Sequence, residues 1–242
     1  TASNNTACGF KALKANTTGA DNVAVGAIAL DANTTGNQNI AIGKNSLGAN
    51  TTASANVAMG QSALGANTTG ANNVAVGVEA LRSNTTASNN TAVGYTALDA
   101  NTTGTGNVAV GASALISVTT GQYNTGCGSS AGEQVTTGGN NLLLGLSAGR
   151  SSSPSGTITT GSNQVCLGNN SITDLFCKVS TIQTSDLRDK TDVNDFKYGL
   201  SWVEKLRPIT YRWDMRSNYA DGVPDGSKKE EKLHLGFIAQ EE

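Results

Sequence analysis

Asn22-Val23-Ala24-Val25-Gly26 opens a unit that runs on through Ala29-Leu30 to Ala32-Asn33-Thr34-Thr35-Gly36. Its glycine returns as Gly9, Gly26, Gly43, Gly60, Gly77, Gly94, Gly111, Gly128 and Gly145, always after 17 residues. Asn16, Asn33, Asn50, Asn67, Asn84 and Asn101 keep the same step, each followed by two threonines. Self-similarity at a fixed short period is the mark of a solenoid, in which each repeat is one coil and buries its apolar face only against its neighbours.

Within the unit the apolar residues alternate as a strand requires, Val23 and Val25 to one side and Ala24 to the other. The pair recurs as Ile40/Ile42, Val57/Met59, Val74/Val76 and Val108/Val110. Stacking turns it into one apolar wall of the coil. Leu30, Leu47, Leu64, Leu81, Leu98 and Leu115 form a second column on the opposite wall. The glycine closing each strand reads as a corner that needs positive φ or lacks room for a side chain. Asn-Thr-Thr-Gly reads as turn chemistry, with Asn and Thr bonding nearby backbone. The same runs are N-glycosylation acceptors by pattern. They also admit a threonine ladder for ice and a glycan-binding face. The favoured reading is a stack of turn residues bonded along the axis.

Composition agrees with a thin, repeated core. Of 242 residues 37% are hydrophobic and only 5% aromatic, and 29 are glycine. A net charge of −2 disfavours nucleic acid, whose phosphates call for a basic face. No apolar run approaches the roughly 20 residues that span a bilayer, so membrane insertion is not expected. A chain that starts at Thr1 has the look of a fragment or a trimmed start. Cys8, Cys127, Cys166 and Cys177 have no metal-ligand spacing, and no cofactor or metal is expected. Cys8 and Cys127 occupy a position otherwise held by Val, Ile, Leu or Met, so they read as small apolar fillers kept reduced in a cytoplasm.

The repeat decays after Gly145. Arg150-Ser151-Ser152-Ser153-Pro154-Ser155-Gly156 reads as an inserted loop, and Gly168 arrives 23 residues later, six beyond the regular step. Gln164-Val165-Cys166-Leu167-Gly168 resembles a last rung, and Val179 to Thr184 a closing strand. The chain thus divides into a shaft over 1–150, a loop, last rung and neck over 151–184, and a different kind of sequence over 185–242. Of the charged residues, 12 fall in 1–184 and 22 in the much shorter remainder, which also holds Trp202 and Trp213. In that remainder Asp192-Val193-Asn194-Asp195 caps an expected helix from Phe196 to Leu206, ended by Pro208. Ile209 to Trp213 alternates as a strand, Asn218 to Lys232 is a polar loop, and Leu233 to Ala239 is again apolar.

Near-identical coils pose a folding problem. They pair one whole repeat out of register at little local cost, and parallel non-local pairing is slow. Three associating chains multiply the misaligned states, so a register-setting device at one end is called for on physical grounds.

The repeats resemble those of phage tail fibres, and more loosely the left-handed β-rolls in the heads of trimeric bacterial adhesins. The remainder carries Ser185-Asp186-x-Arg188-x-Lys190, then Leu206-Arg207-Pro208-Ile209-Thr210-Tyr211-Arg212-Trp213, then Gly236-Phe237-Ile238-Ala239-Gln240-Glu241. These three motifs, in this order, resemble the intramolecular chaperone domain of endosialidase-type phage tail proteins, peptidase family S74. That resemblance implies a small α+β domain, of which this chain holds the N-terminal part. It further implies a homotrimer whose chaperone guides folding of the shaft and then leaves by self-cleavage at Ser185. The expected fold is therefore mainly β, a trimeric 17-residue-per-coil β-solenoid followed by that domain.

The matching residues make chemical sense. A serine hydroxyl is a poor nucleophile until a base takes its proton. Lys190 can be that base only when neutral, which requires burial or a nearby cation. Arg188 supplies that cation or holds the developing oxyanion. The cut falls beside Ser185, with the bond to Asp186 the favoured side. His234, the only histidine, has no triad partner and reads as a packing or solvated residue. The expected setting is a virion tail fibre assembled in the host cytoplasm, with other tail or baseplate proteins and a host surface receptor, glycan included, as partners. The alternatives are a bacterial trimeric surface adhesin with the same chaperone and a glycan- or ice-binding solenoid.

Overall fold

The computed structural model describes residues 2–174, 208–211, 231 and 234–237. The chain forms two compact units, Thr1–Phe176 and Cys177–Glu242. The first is a solenoid of ten three-residue strands: β1 (Thr6–Cys8), β2 (Val23–Val25), β3 (Ile40–Ile42), β4 (Val57–Met59), β5 (Val74–Val76), β6 (Thr91–Val93), β7 (Val108–Val110), β8 (Thr125–Cys127), β9 (Leu142–Leu144) and β10 (Val165–Leu167). Each pairs in parallel with the next, giving one sheet in chain order. The register repeats the sequence period, Val23 opposite Ile40 opposite Val57, and holds through β9 and β10, where Leu142 meets Val165. The six extra residues before β10 are therefore absorbed in the turns between Gly149 and Ile158, and Gln164 to Gly168 is the last rung the sequence suggested.

The coil is so narrow that the backbone sets what fits inside. Ala24, Ala41, Ala58, Ala75, Ala92 and Ala109 face inward and are fully buried, while Val25, Ile42, Met59 and Val110 are exposed. This corrects the expectation that the larger strand residues form an inner wall. The alternation is right but the inner face is the alanine one. Its partner is the leucine column, Leu30 to Leu115, which is fully buried as expected. These leucines hold φ between 50 and 54°. That left-handed conformation costs on the order of 1–2 kcal/mol at a residue with a Cβ, and it is tolerated because it swings the side chain onto the alanines. At the corner glycines both expected reasons hold together. Gly26 has φ +133°, and a Cβ there would stand 2.6 Å from the Gly43 carbonyl oxygen of the next coil.

Two asparagine ladders share the interior with the alanines and leucines. In the first, the Asn-Thr-Thr asparagines stack amide on amide. Asn50 Nδ2 donates to Asn33 Oδ1 at 2.9 Å and to the Ala53 carbonyl at 3.0 Å. In the second, the asparagine before each strand does the same. Asn39 Nδ2 donates to Asn22 Oδ1 at 3.2 Å and to the Ala53 carbonyl at 2.9 Å, while the Asn39 backbone N–H also reaches Asn22 Oδ1, at 3.0 Å. A buried amide is costly unless both its ends are bonded, and here the next coil bonds them.

The last coils break the pattern in a compensated way. Leu143 takes the inner strand position that alanine holds elsewhere. Gly132 and Gly149 then stand at the leucine position, and Gly126 lies one rung below Leu143. A Cβ on Gly132 would stand 2.5 Å from both Leu115 Cδ2 and Leu143 Cδ1. One large side chain has moved across the coil and glycines have made room for it. The first asparagine ladder ends here too, replaced by buried Val118, Val135 and Ile158. Asn101 Oδ1, whose ladder partner Val118 cannot supply, is buried without a partner.

In the second unit β11 (Pro208–Tyr211) pairs antiparallel with β12 (His234–Phe237), with Tyr211 opposite His234 and Pro208 opposite Phe237. Pro208 thus begins a strand, a place where a residue without an N–H is tolerated. The expected helix from Phe196 to Leu206 and the closing strand from Val179 to Thr184 lie outside the described residues.

Candidate functional site

The outer face of the sheet is the most unusual surface of the solenoid. Ten strands present two outward residues each. Fifteen of these twenty are Val, Ile, Leu or Met, three are Thr, two are Cys, and none is charged. Val25, Ile42, Val108 and Val110 are 36 to 38% exposed. Strands stack at about 4.8 Å, so the ten make a stripe about 45 Å long. At about 10 Å wide it projects on the order of 450 Å², within the range of the largest apolar patch of a monomer, which is often functional. A shallow cleft of about 270 Å³ indents its C-terminal flank, between Tyr123, Thr125, Leu142 and Val165.

The opposite side carries the turns and the ion pairs. Arg82 meets Asp99 at 2.9 Å, and Arg150 meets Glu133 at 2.8 Å. Burial pushes the Asp99 carboxyl above its ordinary range even though Arg82 pulls it down.

The Asn-Thr-Thr runs are structural in their geometry. Asn33, Asn50, Asn67 and Asn84 are fully buried with their amide nitrogens donating within the ladder, which leaves no nitrogen accessible for a glycan. The first threonine of each run is bonded as well: Thr34 Oγ1 donates to the Thr51 carbonyl at 3.0 Å, and Thr68 Oγ1 to Thr85 at 2.9 Å. The second threonine, Thr35 and its equivalents, is exposed and forms a single column.

Cys8 and Cys127 sit on the outer strand face and are exposed, whereas Cys166 points inward. Burial alone would raise the Cys166 thiol. Donors from Ser155 at 3.3 Å and the Gly149 N–H at 3.2 Å outweigh it, and the net shift is downward. Among the described residues no group of His, Cys, Asp and Glu is placed to hold a metal, and no helix is long and apolar enough to cross a membrane.

Ser185, Asp186, Arg188 and Lys190 lie outside the described residues, so their arrangement carries no geometric statement. The asparagine before each strand was present in the sequence unit at the same 17-residue step as the glycine. That period was the signal by which its ladder could have been found.

The sequence of the second unit is similar to a known family. The family model Peptidase_S74, described as chaperone of endosialidase, matches residues 185–241. A parallel β-solenoid followed by this domain fits a tail fibre or tailspike with a C-terminal chaperone. The family implies a self-cleaving peptidase domain and trimerisation. No curated protein and no solved structure matches the chain.

Proposed function

We propose that the protein is a phage tail-fibre shaft built by its own C-terminal chaperone, which then detaches itself at Ser185. The observation that carries this reading is the chaperone-of-endosialidase match, which begins at Ser185, the residue proposed as nucleophile. The solenoid supports it as well, since it is a stack of near-interchangeable coils with an uncharged apolar flank.

In this scheme Lys190, neutral, takes the Ser185 hydroxyl proton as Oγ attacks the scissile peptide carbonyl. The nitrogen leaves protonated, and water hydrolyses the resulting ester. Arg188 depresses the Lys190 pKa or holds the oxyanion. Burial of Lys190 only in the correctly assembled trimer makes the cut a report of correct folding. The reaction is a single turnover in cis, without an external substrate. The released shaft is held kinetically, because the element that lowered its folding barrier has gone. Its partners are other tail or baseplate proteins and a host surface receptor, and its place is the virion.

The test is expression of the protein with and without Ser185→Ala, and with Lys190→Ala, read by denaturing gel and intact mass. Wild type is expected to give a fragment boundary at residue 185 that vanishes in both variants, and the fragment masses state which flanking bond is cut. An uncut wild type, or the same boundary persisting in Ser185→Ala, overturns the proposal.

A further inference from the structure

We infer that the outer strand face is the surface on which three copies of this chain pack, parallel and in the same register along a common axis. This rests on the trimeric reading above and adds which face is used and how the copies align. Four observations carry it.

The face reverses the ordinary amphipathic order. In the regular coils the small residue of the strand is buried and the two flanking residues, mostly large aliphatics, face outward and are half-exposed, with Val25 36% and Ile42 36% exposed. A strand face kept in solvent carries polar residues and charges. This face has no charge over ten consecutive rungs, while the ion pairs Arg82–Glu79, Arg82–Asp99 and Arg150–Glu133 of the solenoid lie on the turns. The stripe is also continuous, because every strand pairs with the next in unbroken register. An elongated partner of the same length matches it, and the solenoid of a second copy is such a partner. Finally, the stripe is free of charge along its whole length, and depletion of charge is what marks the centre of a specific interface.

The two exposed cysteines report the alignment. Cys8 and Cys127 both lie on this face, on β1 and β8, seven rungs apart. At about 4.7 Å per rung that is about 33 Å along the axis. Parallel copies in register bring like cysteine to like cysteine near the axis. Antiparallel or slipped copies do not.

The test uses the full chain. Its mass is measured by light scattering, and a short bis-maleimide is then added, with linked peptides mapped by mass spectrometry. The expected result is a trimeric mass with Cys8–Cys8 and Cys127–Cys127 links and no Cys8–Cys127 link. Val74→Glu, on the stripe and outside the coil's own core, is expected to lower the trimer fraction at least tenfold while far-UV circular dichroism stays unchanged. Thr69→Glu, in the exposed threonine column, leaves the mass unchanged. A trimeric mass without like-to-like links, or a trimer indifferent to Val74→Glu, overturns the proposed face and leaves the trimeric reading standing. Cys8–Cys127 links overturn the parallel alignment. A monomeric or dimeric mass overturns both this inference and the trimeric reading.

Discussion

Asn73→Ala tests whether the buried amides hold the solenoid together. Asn73 is fully buried in the middle of the second ladder. Its Nδ2 donates to Asn56 Oδ1 at 3.2 Å and to the Ala87 carbonyl at 2.9 Å. Its Oδ1 accepts from the Asn90 backbone N–H at 3.0 Å and from Asn90 Nδ2 at 3.3 Å. Most of these partners keep a second bond after truncation. Ala87 O retains Asn84 Nδ2, Asn56 Oδ1 retains the backbone N–H of residue 73, and Asn90 Nδ2 retains Gly104 O. The Asn90 N–H, bonded to Asn73 Oδ1, is orphaned. That costs about 1–3 kcal/mol, with about 1 kcal/mol more for the net loss of the other bonds. The vacated amide volume adds about 1 kcal/mol, so the expected destabilisation is about 3–5 kcal/mol. Unfolding in guanidinium at matched protein concentration should accelerate on the order of a hundredfold or more when the ladder is already broken in the transition state. Hydrogen exchange should quicken at Asn90 first. Asn73→Asp separates bonding from packing. It keeps the shape but sets an unprotonated oxygen against Asn56 Oδ1 and Ala87 O. Its carboxyl pKa is then raised in the folded state, so its penalty is absent below the unfolded value of about 3.9 and grows as pH rises through that value. An Asn73→Ala variant that unfolds within threefold of wild type, or an Asn73→Asp variant whose stability does not fall with rising pH, would refute the reasoning.

Three further outcomes are expected. Gly132→Leu restores the residue typical of its position, at a φ of +64° where a Cβ carries the same left-handed cost of about 1–2 kcal/mol as at the other leucines. It should still destabilise by about 1–3 kcal/mol through overpacking, and pairing it with Leu143→Ala should recover stability, giving a coupling of about 2 kcal/mol in a double-mutant cycle. Val118→Thr offers a hydroxyl to the orphaned Asn101 Oδ1 and should slow unfolding by roughly fivefold, or about 1 kcal/mol. Asp99 has its folded pKa raised, chiefly by burial. The folded state therefore binds its proton more tightly, stability is fullest below the ordinary value of 3.8 and falls as pH climbs above it. Asp99→Asn should remove that fall when wild type and variant are compared by chemical denaturation between pH 3 and 7.

The period, the leucine column, the corner glycines and the last rung were legible because each is a statement about spacing. Which strand face lies inside was not. Alternation says that Val23 and Ala24 point apart, and the usual preference for burying the larger apolar residue then chooses wrongly. The choice depends on the width of the coil, where the leucine from the far wall leaves room only for a methyl group opposite. The asparagine before each strand was equally periodic, but a polar residue next to a turn is ordinarily solvated. Its burial follows from having an identical neighbour above and below, which is a property of the stack and not of the unit. The Leu143 exchange with Gly126 and Gly132 was hidden for a related reason, since compensation between residues on different coils appears only once the coils are superposed. The Ser185, Arg188 and Lys190 motif was legible as sequence, and the family match to 185–241 supports its context.

The ladders and the apolar stripe share one property that bears on assembly. Both are nearly unchanged when a coil is replaced by its neighbour, so neither opposes a slip of one whole repeat between chains. What distinguishes one coil from another is concentrated late in the shaft. Val118, Gly126, Gly132, Leu143 and the six-residue insertion before Ile158 all follow Gly111. On the outer face, Thr125, Cys127, Leu142 and Leu144 likewise depart from the Val/Ile pattern that dominates β2 to β7. In the proposed trimer, alignment between copies is therefore decided in the coils that stand next in sequence to the chaperone domain, and the uniform coils before them inherit it. A register device placed among the regular coils, β2 to β7, would face rungs it could barely tell apart. Placed after them, it meets the few that differ.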